Sequence, residues 1–390
     1  MRISRGTIFE HGYWTHTKRR CEWCDDGFVA AVRYRQFWFG AQRAPRQLEP
    51  VKILLLQLKR IGDLILTTPA IAALRESFPE AQLTLVVSKE CAEVLPAVSN
   101  VDRILIARRN VRDLSLFFSI AGRRFDYCVD FTRNDRSASL ALLSGARRRV
   151  VSYRVREQSK TRARAYTDFV SVRTRDMHTI DYNLALLGPL GARLVSTVPY
   201  LDLPEVAFEN AEALRRTWKI SRPYVILHPG SAREEKLWEP ARWAEVIEYF
   251  GRNNGIDLVL TSGPSHDEQA HIAAIKSKTQ QQIIDLSAKT DLLTLAALIG
   301  QARLLVTVDS APVHLAAATR TPQVILFGPT NPFHWRPRES PAAVLHGESA
   351  APVTAFSPVQ PRLAMSQIST EAVIGAMDSL LSIHAAAQIS

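Results

Sequence analysis

The feature that most constrains this chain is an alternation of short apolar runs with amphipathic segments, begun at Val51 and begun again after Pro223. The runs at 51–58 (VKILLLQL) and 224–228 (YVILH) are apolar on consecutive residues, so both faces of each strand need cover. Strands of that kind belong to parallel sheets flanked by helices. In the first half the pattern predicts strands at 51–58, 82–87, 127–131 and 147–153, with helices near 67–77 and 89–96. In the second half it predicts strands at 224–228, 257–263, 283–287, 304–308 and 323–328, with helices near 206–218, 240–250, 266–277, 291–301 and 312–319. Doubly wound sheets bind ligands beyond the carboxyl ends of their strands, so two such halves imply a ligand-binding cleft between them.

A chain of 390 residues has room for two α/β domains. The expected divisions are a basic, aromatic extension over 1–50, a first Rossmann-like domain over 51–198, a second over 199–365, and a closing helix and tail over 366–390. The extension interleaves Tyr13, Trp14, Trp23 and Trp38 with Lys18, Arg19, Arg20 and Arg35, which suits a membrane interface or packing on the globular body. It also holds His11, His16, Cys21 and Cys24, but a single CxxC without a second pair favours an incidental cluster, and no metal is expected.

Four scattered cysteines make no disulfide framework, and neither a signal peptide nor an apolar run of about 20 residues is present, so a cytosolic location is expected. A net charge of +11 calls for an anionic partner. No nucleic-acid module accompanies that charge, which leaves a phosphorylated substrate or a membrane surface.

Three loops after predicted strands carry chemistry. HPGSAREEKLW (228–238) offers Ser231 and exposed amides to phosphate oxygens, with Lys236 as a point charge. VTVDSAPVHLAAA (306–318) ends a strand at Asp309 and opens a helix through Ser310, Ala311 and Pro312, where amides favour a diphosphate; Asp309 or Ser310 acting as a plain helix cap is compatible with that. His314, on the first turn, either faces the ligand or satisfies a neighbour. In LTSGPSHDEQ (260–269), Asp267 and Glu268 follow a strand end as ribose-gripping acids do, and also suit a helix N-terminus.

These loops, with GDLILTTPAIAALRESFP (62–79) and VDSAPVHLAAATRTPQVILFGPTNPFHW (308–335), resemble glycosyltransferase family 9, the bacterial lipopolysaccharide heptosyltransferases, from Val51 to the terminal helix. LQLKRIGDLILTTP looks most like the heptosyltransferase III branch. The resemblance implies a GT-B fold of two Rossmann-like domains, ADP-heptose as donor bound by the second domain, and a lipid-linked core acceptor presented by the first. Asp63 matches the family's catalytic aspartate, Lys236 its diphosphate-binding lysine, and Asp309, Ser310 and Ala311 its pyrophosphate and sugar loop. Asp267 matches the ribose-binding acid and Thr290 the adenine-contact region, while His314 falls in the pattern without a firm role. The extension before Val51 has no counterpart in short-start members.

As a base, Asp63 takes the acceptor's proton in an inverting single displacement, with fixed positive groups in place of a metal. The competing view makes Asp63 a cap for the helix at 67–77. The acceptor should be anionic: Lys59 and Arg60 flank Asp63, and Arg147, Arg148, Arg149 and Arg154 belong to the basic run 147–164. Another sugar donor or acceptor on the same scaffold, or a non-catalytic sugar-nucleotide-binding membrane scaffold, are the alternatives. The expected site of action is the cytoplasmic face of the inner membrane.

Overall fold

The computed structural model describes residues 50–108, 113–252 and 255–387; the cluster of His11, His16, Cys21 and Cys24 lies outside the described residues. Two parallel sheets of six strands carry the fold. In the first lobe β1 (Lys52–Gln57), β2 (Gln82–Ser88), β3 (Arg103–Ala107), β4 (Tyr127–Asp130), β5 (Arg148–Ser152) and β6 (Asp168–Val170) lie in the order β3-β2-β1-β4-β5-β6. The second lobe holds β7 (Tyr224–His228), β8 (Asp257–Leu260), β9 (Ile284–Asp285), β10 (Leu304–Val308), β11 (Gln323–Phe327) and β12 (Ala342–His346) in the order β12-β11-β10-β7-β8-β9. Counted from its own first strand, each sheet has the same order, with the winding reversing between its first and fourth strands. Those two reversal points, β1/β4 and β7/β10, are where a doubly wound sheet opens a crevice.

Alternation along β1 explains how the layers are filled. Ile53 and Leu55 enter one buried cluster, whereas Leu54 and Leu56 enter another on the opposite face. The first of these clusters continues into the second lobe through Ile226, Leu295 and Leu315, so the lobes share a hydrophobic seam. The helix Glu205–Thr217 packs on the helix Leu292–Gln301, and the terminal helix Thr370–Ala387 lies against the second sheet through Val373, Ala376 and Met377.

Three strands exceed the sequence expectation: β3, β6 and β12. All three are sheet-edge or near-edge pieces of five residues or fewer. The segment at 89–96 is a run of 3-10 turns over Lys89–Ala97 with Pro96 inside it, and Asp113–Ala121 and Asp135–Leu143 are helices that the pattern had not marked. The helix expected at 67–77 is Thr68–Ser77, preceded by a separate short helix, Ile61–Ile65, that holds Asp63.

Candidate functional site

Asp63 leaves the carboxyl end of β1 on the short helix Ile61–Ile65, whose cap residue Arg60 makes no side-chain capping bond. Five residues cannot hold a helix by themselves, and a side-chain network does it instead. Thr67 donates its hydroxyl to the Asp63 carbonyl at 2.7 Å and accepts from Gln57 Nε2 at 2.6 Å and Asn183 Nδ2 at 3.1 Å. The carboxylate itself caps nothing. Its Oδ1 is buried with no hydrogen-bond partner, and the Lys59 ammonium stands 3.6 Å away, an ion-pair distance too long for a hydrogen bond. Burial lowers the Lys59 pKa, and the charge of Asp63 works against that shift.

The other lobe meets this helix directly. A Cβ on Gly62 would lie 2.4 Å from His314 Cδ2 and 2.7 Å from Nε2, so only glycine lets the helix Ala311–Thr319 seat here. Gly62→Ala is therefore expected to force a buried ring aside and to cost about 1–3 kcal/mol, read as a lower thermal midpoint; an unchanged midpoint would show the joint to be loose. His314 is buried with Nδ1 unpartnered; burial lowers its pKa, while Asp309 and Asp63 act in the opposite direction. The histidine ring thus lies against the helix of Asp63 and feels the charge of an aspartate from each lobe.

Lys236 joins the two loops at the second reversal point. From the 3-10 turn Glu234–Lys236 its Nζ reaches Asp309 Oδ2 at 2.6 Å and the Asp309 carbonyl at 3.0 Å, and Thr330 donates to the same Oδ2 at 2.5 Å. Ser310 is the cap residue of Ala311–Thr319 but makes no side-chain capping bond; its hydroxyl donates back to the Val308 carbonyl at 3.3 Å. The Ala311 amide, at the first helical position, has no helix carbonyl to serve, and Pro312 has no amide hydrogen. Ser231 is buried beside this loop pair, with its hydroxyl accepting from the Arg233 amide at 3.2 Å.

Of the two acids after β8, Asp267 turns to solvent with its side chain 97% exposed. Glu268 is the one that faces the strand ends. Added Cβ atoms on Gly230 and Gly263 would lie 2.6 and 2.2 Å from its carboxylate oxygens, so both glycines make room for it. Ser265 and Glu268 exchange bonds at the start of the helix His266–Lys276, and burial raises the Glu268 pKa. Neighbouring helix positions point about 100° apart, which is why one acid turns in and the other out. Thr290 is half-buried in the loop before the helix Leu292–Gln301.

The basic run divides in the same way. Arg147, Arg148 and Arg149 precede or open β5, and Arg148 and Arg149 lie opposite Tyr127 and Cys128 at the start of β4, the end of the sheet away from Asp63. Two of them are also committed: Arg148 pairs with Asp168 at 2.5 Å and donates to the Pro189 carbonyl at 2.6 Å, and Arg149 donates to the carbonyls of Ala165 and Ala146, both at 2.6 Å, while Arg147 is exposed at that same end. These three arginines do not reach the crevice. Arg154 follows the carboxyl end of β5 and is half-buried, and Arg60 is exposed beside Lys59.

Further cross-lobe contacts surround the site. Arg338 forms a two-pronged pair with Asp181 at 2.6 Å on both arms. His178 caps the helix Thr179–Ala185 by accepting from the Ile180 amide at 3.2 Å, and its Nε2 donates to the Arg336 carbonyl at 2.9 Å. Burial holds the His178 pKa down to about 3 and that of His228 down to about 4. The unfolded chain takes up these protons near pH 6.5 and the folded one does not, so stability is full above that value and falls as pH drops toward 4. Between pH 6.5 and 5 each histidine should cost about 2 kcal/mol, seen as a falling thermal midpoint that His178→Asn makes shallower. A midpoint flat over that range would contradict the buried, neutral assignment.

Among the described residues no group of three or more His, Cys, Asp or Glu side chains is placed to hold a metal ion, and Cys91 and Cys128 are free and buried.

The profile of glycosyltransferase family 9 (heptosyltransferase) matches residues 114–355. The chain belongs to glycosyltransferase family 9. It is 28% identical over 285 residues to lipopolysaccharide heptosyltransferase 3 of Escherichia coli, covering 71% of this chain and 83% of that protein. It is 23% identical over 346 residues to the lipopolysaccharide core heptosyltransferase OpsX of Haemophilus influenzae, covering 85% and 97%. Among solved structures, the family 9 glycosyl transferase of Veillonella parvula superposes with a TM-score of 0.72 at 24% identity, over 86% of this chain and 99% of the other. The E. coli ADP-heptose lps heptosyltransferase II gives 0.68 at 21% identity, over 86% and 99%. The glycosyltransferase thus has the GT-B fold that the two sheets describe.

Proposed function

We propose that this glycosyltransferase moves a heptose from ADP-heptose to a hydroxyl of a lipopolysaccharide core acceptor, with inversion at the anomeric carbon. The observation that carries the reading is the Asp63 carboxylate, free of any capping bond and held at the junction where His314, Asp309 and Lys236 of the other lobe converge. In this scheme residues 51–198 present the acceptor, 199–365 bind the donor, and 366–390 close the second lobe.

Each group then has a task. The acceptor oxygen attacks the anomeric carbon while Asp63 takes its proton, and the bond from that carbon to the ADP phosphate oxygen breaks. Lys236 and the amide at Ala311 receive the charge gathering on the leaving diphosphate, with Ser231, Ser310 and Asp309 shaping its seat. Glu268, rather than Asp267, grips the ribose hydroxyls, and Thr290 lies toward the adenine. Lys59, Arg60 and Arg154 face the acceptor.

The acceptor's lipid puts the reaction at a membrane surface. No described helix is long and apolar enough to cross a bilayer. The helices Asp113–Ala121 and Asp135–Leu143, however, expose Leu114 (60%), Phe118 (77%) and Leu142 (58%), with Arg123 and Arg124 exposed just beyond the first. That combination suits an anionic leaflet. Flotation with anionic vesicles should retain the native chain and lose Phe118→Ser; equal retention would remove this surface from the scheme.

The functional test is a panel of nucleotide sugars assayed with a truncated lipid-linked core, followed by linkage analysis of the product. Transfer from ADP-heptose with inverted anomeric configuration is expected. Faster transfer from another donor, or a retained configuration, would overturn the assignment.

A further inference from the structure

The first reversal point holds a cation that the scheme above does not use. Arg133 follows β4, and its loop is tied across to the end of β1: the Leu58 amide donates to Thr132 Oγ1 at 2.7 Å, and that hydroxyl donates to the Leu56 carbonyl at 3.2 Å. Arg133 therefore stands beside the segment that carries Lys59 and Asp63. The two positive charges sense each other, Arg133 being one of the groups that hold the Lys59 pKa down.

The loop is built to keep this residue in one place. Asp130, fully buried, accepts from the amides of Thr132 and Arg133 on one oxygen, at 2.7 and 3.1 Å, and from Ser137 Oγ and the Tyr166 hydroxyl on the other, at 2.6 and 2.5 Å. The Arg133 backbone is left-handed, φ +69°, a conformation costly to a residue with a long side chain. Strained backbone of this sort persists where surrounding structure enforces it, and it concentrates at binding sites.

Among the described residues, no carboxylate pairs with the side chain held in this way. Its guanidinium lies 5.2 Å from the centroid of the Tyr182 ring, and its Nε is buried without a hydrogen-bond partner. Among the described residues it joins no ion pair, in contrast to Arg148, Arg162 and Arg173, which each have a carboxylate. A fork of donors that lies over an aromatic ring, partly desolvated and unpaired among the described residues, is suited to an oxyanion brought by a ligand.

We infer that Arg133, with Lys59 beside it, binds an anionic group of the acceptor, a phosphate or a sugar carboxylate, and so sets which acceptor hydroxyl reaches Asp63. The inference rests on the transferase reading above and adds to it a residue that fixes acceptor choice.

Arg133→Asn tests it, because asparagine tolerates the left-handed backbone and carries no charge. With a phosphorylated, lipid-linked core as acceptor, the variant should raise the acceptor KM roughly ten-fold or more, leave the ADP-heptose KM within two-fold, and keep the thermal midpoint at or above that of the native chain. Arg133→Lys, with the charge but not the fork, should fall between. Repeating the assay on a dephosphorylated core and on a carboxyl-reduced core identifies the group, since the variant and native chain should converge on whichever acceptor lacks it.

An acceptor KM that stays within two-fold in both variants would overturn the inference. So would a penalty of equal size on all three acceptors, which would mean that Arg133 only shapes the loop. Native chain in the same assay separates the two levels: no transfer at all would fail the transferase reading, whereas normal transfer with an unaffected Arg133→Asn fails this inference alone.

Discussion

Asp63→Asn should lower turnover by about 10³-fold, within the range that a positioned general base contributes, while ADP binds nearly as it does to the native chain. The asparagine keeps the shape of the side chain and loses both the charge and the ability to take a proton. The network beneath it survives, because Thr67, Gln57 and Asn183 hold the Asp63 carbonyl and its helix, not the carboxylate. What changes locally is the charge opposite Lys59, 3.6 Å away. Rate measured at saturating donor and acceptor, beside calorimetric ADP affinity on the same preparation, separates chemistry from binding. A variant within ten-fold of native turnover would remove Asp63 from the proton transfer.

The second large effect belongs to Lys236. Its ammonium bridges the loops after β7 and β10 through Asp309, and both side chains are nearly buried, 11% and 9% exposed. Lys236→Met keeps the stem and deletes the charge. It should weaken ADP binding by about 2–4 kcal/mol, a factor of roughly thirty to several hundred, because in the proposed scheme the desolvated cation that receives the diphosphate is lost and Asp309 is left to repel it. It should also lower the thermal midpoint, since breaking a buried pair from one side strands its partner; Thr330, which still donates to Asp309, limits that loss. Native ADP affinity in the folded variant would mean that the lysine serves only the loop junction.

How far the sequence foretold this site depends on what positions each residue. Runs such as KILLLQ and LLVTV declare buried parallel strands because they are apolar on successive residues, and the loops that follow them must lie at the carboxyl edge; Asp63, Lys236 and Asp309 were legible for that reason. The same rule, applied to strand direction, separates Arg147, Arg148 and Arg149 from Arg154, because the first three come before β5 or open it and the last comes after. Composition alone had grouped them. Register and rotation were the parts not written locally. Nothing in SHDE says that Glu268 and not Asp267 turns toward Gly230 and Gly263; the two glycines, each with no Cβ to exclude a carboxylate, were the available hint.

Short edge strands escaped for a related reason. β3 is only half-buried over four of its five residues and so lacks the doubly buried pattern of a central strand, whereas β12 is buried over four of five and was hidden instead by its brevity and by the Ser, Pro and Gly residues that flank it. Arg133 was invisible as a candidate because its interest lies in a left-handed backbone and a ring supplied from Tyr182, some fifty residues on. A lone arginine in DFTRND carries no such signal.

The account turns on two lobes acting on one molecule, and the structure of the chain with ADP-heptose bound tests that most directly. The diphosphate should lie against Lys236 and the Ala311 amide, with the anomeric carbon about 6 Å from the Asp63 carboxylate, room for one hydroxyl at about 3 Å from each. A sugar directed away from Asp63, or a diphosphate seated elsewhere than the β7/β10 reversal point, would contradict it.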